Sequence, residues 1–181
     1  SINLTNYKKT SIHKTFEEVR RQARKRGVRV TGSEIVGLMP LDALLSGGKY
    51  YLKKQHRTTG IPEGEILNMA IKSLGLSDIN NFIVEDKIIE YQISNNESSL
   101  ANLTTKDLLN KTSLGTPTPG GGSISALAGS FGMALSAMVS SLSFQKKGLE
   151  KNQQQFLLIG EKCQKYKDRM LELVDLDTAA Y

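Results

Sequence analysis

The stretch TPTPGGGSISALAGSFGMALSAMVSSLS, Thr116 to Ser143, decides how the chain is read. Pro117 and Pro119 hold its approach extended and resist helix. Gly120, Gly121 and Gly122 then let the backbone come close to a ligand. Ser123 suits the N-cap of a helix that begins there. From Ser123 to Ser143 no residue is charged, so a helix here must be surrounded by protein or by lipid. Free N–H groups and the positive end of a helix dipole beside an open loop favour an anion. Gly120, Gly121, Gly122 and Ser123 are therefore candidate substrate-binding residues.

The uncharged segment fits a buried bundle helix, a membrane span, or a bundle helix with a ligand at its N-terminus. Its length suits a membrane. Seven serines, and no aromatic belt or basic anchor at both ends, argue against one. Ala128, Gly132, Ser136 and Ser140 recur every four residues and predict a thin face for close helix approach, across a subunit interface or within a bundle. The loop is not a P-loop, because no Lys-Ser/Thr follows the glycines in register. No strand precedes it, as a dinucleotide fingerprint would require. A plain glycine hinge between domains is the bland reading.

The 181 residues suffice for one domain or two small ones. Hydrophobic content of 39% and charged content of 23% are those of a soluble globular protein. Cys163 is the single cysteine, so no internal disulfide forms and a reducing, cytoplasmic setting is expected. The opening is polar and lacks a signal peptide. It also lacks a methionine, and the end at Tyr181 falls inside a helical pattern, which reads as a piece of a longer chain. The net charge of +6 is uneven. Residues 1–29 carry nine Lys/Arg against two Glu, which favours an anionic partner unless the run is simply a solvated helix face. No nucleic-acid motif accompanies it, so nucleic acid is not expected as a partner.

Ile2–Tyr7 alternates like a strand. A helix is predicted over Ile12–Arg26, with Ile12, Phe16, Val19 and Ala23 on one face and Arg20, Arg21, Arg24 and Lys25 on the other. Gly27 ends it. Val28–Thr31 and Glu34–Leu38 read as extended. Pro40 starts a second helix, and Gly47-Gly48 marks either a close helix contact or a break. Pro62 starts a third helix and Gly75 closes it. Asp86–Ile93 fits strand and helix equally. Thr104 caps a short helix over Thr105–Lys111, with Asp107 completing a capping box. A last helix runs from about Gly148. The expected class is α+β: a small α/β layer followed by an all-helical bundle segment.

The run from Thr116 through Leu135 resembles the start of the cyclodeaminase domain of formimidoyltetrahydrofolate cyclodeaminases and the related methenyltetrahydrofolate cyclohydrolases. Asn3-Leu-Thr-Asn-Tyr7, Val30-Thr-Gly-Ser-Glu-Ile-Val-Gly-Leu-Met-Pro40 and Lys87-Ile-Ile-Glu-Tyr91 resemble the C-terminal subdomain of glutamate formimidoyltransferases. The order is similar to that of bifunctional formimidoyltransferase–cyclodeaminases. The resemblance implies a partial transferase subdomain over residues 1–96, a linker with a short helix over 97–115, and a partial cyclodeaminase domain over 116–181. It implies transfer of a formimino group from N-formiminoglutamate to tetrahydrofolate in histidine degradation. It also implies closure of 5-formiminotetrahydrofolate to 5,10-methenyltetrahydrofolate, with loss of ammonia. Polyglutamylated folate as substrate, no metal, no membrane, and homo-oligomers through the helical domain are implied as well. The transferase histidine of the family lies in a subdomain this sequence does not contain, so neither His13 nor His56 takes that role. The chain alone is expected to be a poor enzyme or none, and the alternative is a non-catalytic segment serving oligomer assembly.

With a folate in view, the basic face at Arg20, Arg21, Arg24 and Lys25 becomes a candidate for attracting the polyglutamate tail. Loss of ammonia needs a proton at the leaving nitrogen, hence a positioned acid–base group. The candidates are Lys146 and Lys147 after the uncharged helix, and Asp175 and Asp177 near the end of the next, where the family has basic and acidic residues. Each is equally explicable as a solvated helix residue.

Overall fold

The computed structural model describes residues 2–93 and 99–180. The chain divides into two compact units, Ser1–Ser94 and Asn95–Tyr181.

In the first unit α1 (Ile12–Lys25), α2 (Leu41–Lys54) and α3 (Glu63–Leu74) are followed by two short helices, α4 (Val84–Lys87) and α5 (Ile89–Ile93). Pro40 and Pro62 stand just before α2 and α3, where their missing N–H groups cost nothing. Gly75 closes α3 in the left-handed conformation. Leu44, Ala70 and Ile88 are fully buried and, with Met39, Tyr51, Leu67 and Leu74, make the core. The Gly47-Gly48 pair does not break α2. A Cβ on Gly48 would collide with the carbonyl oxygen of Ile66, so Gly48 is what lets α2 and α3 close on each other, whereas one on Gly47 would make ordinary contact with Ile12. Glu17 joins α1 to α2, receiving Lys54 Nζ at 2.7 Å and Tyr51 Oη at 3.2 Å.

The expected α/β layer is not there: among the described residues the class is all-helical, with no strand and no sheet. Ile2–Tyr7, Val28–Thr31 and Glu34–Leu38 have the composition of strands but form no ladder. A strand exists only where another backbone pairs with it. Among the described residues the sole bridge is Met39 with Ile88, where Met39 N–H donates to Lys87 O at 2.9 Å and Ile89 N–H donates to Met39 O at 3.1 Å. The chain before it docks on a helix end instead, through Ser33 N–H to Gly75 O and Ser33 Oγ to Leu74 O. Val36 is 88% exposed. Asp86–Ile93, whose pattern fits either class, is helical in two pieces.

In the second unit a 3-10 turn (Leu100–Asn102) leads into α6 (Thr105–Thr112), capped by Thr104 Oγ1 receiving Asp107 N–H at 3.1 Å. The long helices α7 (Gly121–Phe144) and α8 (Gln153–Ala179) then pack antiparallel. Ser123, Ser130 and Ala137 lie seven residues apart on α7, facing Val174, Lys167 and Gly160, also seven apart on α8. A seven-residue repeat keeps a contact seam on one side of both helices. Here the seam is made of small residues, and the serines bridge it. Ser123 Oγ donates to Val174 O at 2.9 Å, Ser130 Oγ to Lys167 O at 3.0 Å, and Ser140 Oγ to Phe156 O. Of the four residues of the expected thin face, only Ser140 is buried against α8, so within this hairpin that face is not the packing seam. Phe131, Leu135, Met138, Val139 and Leu142 line the outer side of α7, each more than half exposed. By length and composition α7 meets the test for a membrane-spanning helix.

Candidate functional site

The Pro/Gly loop delivers the first turn of α7 onto the last turn of α8. Asp177 Oδ2 receives Ser123 N–H at 2.8 Å and Ser123 Oγ at 3.1 Å, while Ser123 Oγ also reaches Thr178 Oγ1 at 3.1 Å. Ser123 is fully buried. The carboxylate a helix N-terminus favours is thus supplied from within the chain. A Cβ on Gly122 would overlap the Asp177 carboxyl group, whereas one on Gly121 would meet nothing. Gly120 stands at the N-cap position of α7 without a side chain to cap it.

Asp175 is engaged in the same way on the neighbouring side of α8. Its two oxygens receive Ser99 Oγ and Leu100 N–H, each at 2.6 Å. Asp175 therefore pins the 3-10 turn, as Asp177 pins α7. Lys146 and Lys147 lie in the exposed turn after α7. A 24-residue helix is about 36 Å long. Within this hairpin, then, the structure joins Gly122 and Ser123 to Asp177 but leaves the two lysines at the opposite end from both aspartates.

The basic face of α1 is partly neutralised by its own carboxylates. Arg21 is locked to Glu18 through two bonds of 2.7 and 2.5 Å, which hold Glu18 down at about 2. Arg20 is held by Glu17 at 3.0 Å. Burial acts against ionisation of Glu17, but its bonds to Lys54 and Tyr51 and the charge of Arg20 leave its pKa lowered overall. Arg20, Arg21, Arg24 and Lys25 all line one groove, together with Lys14, Lys54, Glu17 and Glu18. Arg20 and Arg24 also open onto an adjoining cleft of about 540 Å3, together with Arg29 and Lys72. Those last two residues do not stand out in the sequence. Arg29 is one charge among many in the N-terminal excess, whereas Lys72 sits in an acidic stretch and only folding brings it there.

His13 is buried, stacked on Tyr50 with ring centroids 4.4 Å apart, and its Nε2 lies 3.0 Å from Ser11 Oγ. His56 is exposed in the turn after α2. Cys163 is a free, buried thiol in α8. Among the described residues no three His, Cys, Asp or Glu side chains gather in a way that could hold a metal ion.

Comparison with known proteins divides the chain at the same region as its two units. Residues 1–94 match the family model described as formiminotransferase domain, and residues 104–181 match the one described as formiminotransferase-cyclodeaminase. The formimidoyltransferase-cyclodeaminase of Dictyostelium discoideum is 39% identical over 153 residues, covering 83% of this chain and 28% of that protein. The one from Gallus gallus is 30% identical over 184 residues, covering all of this chain and 34% of that protein. The glutamate formimidoyltransferase of Thermoplasma acidophilum is 49% identical over 67 residues, 37% of this chain and 21% of that protein. The chain thus spans about a third or less of the length of these relatives.

Proposed function

The chain belongs to the formiminotransferase-cyclodeaminase family, and from that premise we propose that it acts within a folate-dependent one-carbon enzyme of histidine degradation. One observation carries the reading: matches to the transferase domain and to the cyclodeaminase succeed each other in a single chain, in the order of the bifunctional relatives. The transferase half moves a formimino group from N-formiminoglutamate to tetrahydrofolate. The cyclodeaminase half closes 5-formiminotetrahydrofolate to 5,10-methenyltetrahydrofolate. Closure bonds N10 to the formimino carbon, which already carries N5 and the terminal nitrogen; N10 gives up its hydrogen, the terminal nitrogen is protonated, and its bond to carbon breaks to release ammonia.

Within the second unit Lys146 and Lys147 are the more accessible groups to handle that proton, because both oxygens of Asp175 and Oδ2 of Asp177 already receive backbone and hydroxyl hydrogens. The two aspartates act as positioning residues for the helix ends. The polyglutamate tail of the folate is drawn by the basic side of the first unit. The outer face of α7, with Phe131, Leu135, Met138, Val139 and Leu142, is covered by a second copy of the helical unit in a homo-oligomer, not by lipid. The serines along α7 and the single free cysteine favour a cytoplasmic protein. Neither nucleic acid nor a metal has a part in this reading.

The test is titration of the chain with mono- and pentaglutamyl tetrahydrofolate, followed by ammonia release from 5-formiminotetrahydrofolate by the complete protein and its Lys147→Met variant. Tighter binding of the long tail and loss of ammonia release in the variant are expected. Equal ammonia release by Lys147→Met removes the lysine role, and no folate binding by the complete protein removes the reading.

A further inference from the structure

His13 has no part in the chemistry proposed above. We propose that it is a proton-operated latch: neutral, it holds the first turn of α1 against α2, and protonated, it lets that turn open while the rest of the helix stays in place. The ring is 8% exposed and stacks on Tyr50 of α2, with centroids 4.4 Å apart and an angle of 17° between the planes. Its Nε2 lies 3.0 Å from Ser11 Oγ. Its Nδ1 is buried and, among the described residues, has no hydrogen-bond partner.

The first turn depends on this contact because little else fastens it. Ser11 stands at the N-cap of α1 but makes no capping bond with its side chain, and the turn contains no acidic residue to meet the helix dipole. The Ser11 hydroxyl is turned to His13 instead. What remains is Thr15 bonding back to Ser11 O, through its N–H at 3.1 Å and its Oγ1 at 3.2 Å, and Ile12 lying beside Gly47. One turn further on, the helix is held independently, because Glu17 receives Lys54 Nζ and Tyr51 Oη from α2. The opening therefore stops at Glu17.

A neutral imidazole suits the site. With its hydrogen on Nε2, donated to Ser11 Oγ, Nδ1 keeps only a lone pair. The imidazolium carries hydrogens on both nitrogens, and the second would be a buried, charged donor with nothing to accept it. The neighbouring charges do not compensate. On α1, Lys14 is adjacent, and the helix N-terminus is itself positive. On α2, Lys54 Nζ lies 5.6 Å from the centre of the Tyr50 ring. Glu17 is the carboxylate that opposes them, and its oxygens are shared among Lys54, Tyr51 and Arg20. Burial first, then Lys14, accordingly keep the pKa of His13 below 6.5 against the pull of Glu17. The latch is closed above that pH and opens as pH falls through the lowered value. Phenylalanine would also stack on Tyr50, whereas histidine makes the contact conditional on a proton.

Amide hydrogen exchange of the 181-residue chain at about pH 7.5 and about pH 5 tests it, read as protection factors so that the intrinsic pH dependence drops out. Protection at residues 15–17 is expected to fall about fivefold or more between the two, relative to residues 67–74 of α3. In His13→Phe the same ratio should stay within about twofold. A second measurement does not depend on that variant folding. It follows the His13 ring protons of the unsubstituted chain, told from those of His56 by a His56→Gln variant. The Tyr50 ring shifts them upfield while the two are stacked. That shift is expected to vanish over the pH range in which protection falls. Unchanged protection at residues 15–17, an equal fall in α3, a pH-dependent ratio that persists in His13→Phe, or a His13 ring that titrates while still stacked overturns the proposal.

Discussion

Asp177 Oδ2 accepts the backbone N–H of Ser123 at 2.8 Å across 54 residues of sequence, and Gly122 leaves the room its carboxyl group needs. The start of α7 is therefore capped by the end of α8. The loop whose composition suits an external anion already has a carboxylate of the chain at Ser123.

Gly122→Ala should destabilise the helical unit by ~1–2 kcal/mol, because overpacking against Asp177 outweighs the gain in helix propensity. Gly121→Ala, with nothing near its Cβ, should be neutral or slightly stabilising. Urea unfolding monitored by circular dichroism compares the two, and equal midpoints would contradict the contact.

Asp177→Ala should cost ~1–2 kcal/mol, in the range of a lost N-cap, and Asp177→Asn clearly less, since its amide oxygen still accepts from Ser123. If Asp177 is a positioning residue, ammonia release by the complete Asp177→Asn protein stays within about threefold of the parent. Loss of activity with intact stability would instead make it a direct participant.

Gly48→Ala should be the most damaging single methyl in the first unit, by ~3 kcal/mol, because the obstacle is the Ile66 backbone carbonyl, which cannot rotate away. Gly64→Ala, in open space on α3, serves as the control. Thermal unfolding of both variants reads the difference.

Leu135→Gln with Val139→Gln should weaken self-association measured by analytical ultracentrifugation while leaving helicity intact, since both residues are on the outer side of α7. Ala137→Leu, 2% exposed on the inner seam, should do the reverse and unfold the hairpin. Unchanged association in the first variant would move the interface elsewhere.

Burial, and then the charge of Lys14, hold the His13 pKa below 6.5, with Glu17 opposing them. The unfolded chain therefore binds more protons than the folded one just below pH 6.5. The stabilising contribution is complete above that pH and is lost as pH falls through the folded pKa. His13→Phe keeps the ring on Tyr50 and removes the titration. Its unfolding midpoint should fall less than the parent's between about pH 7.5 and about pH 5.

Local chemistry is legible from residue types alone. Pro40 and Pro62 announce helix starts, Gly75 a helix end, and Thr104 with Asp107 a cap, because each acts within a turn of itself. The motifs that carry the family resemblance are equally local. The absence of the α/β layer is not legible, because Ile2–Tyr7 and Val28–Leu38 do have strand composition. Pairing is a property of a second backbone, and the described residues supply none beyond Met39 and Ile88. The four-residue repeat on α7 is real but, Ser140 apart, lies off the face that meets α8. The buried seam of Ser123, Ser130 and Ala137 exists only because α8 presents Val174, Lys167 and Gly160 at the matching spacing. Residue types and their local order set the helices, their caps and the family. Folding in three dimensions chose which face of α7 is inside, which carboxylate sits at its N-terminus, and which cations share a cleft, since each depends on residues tens of positions apart meeting in space.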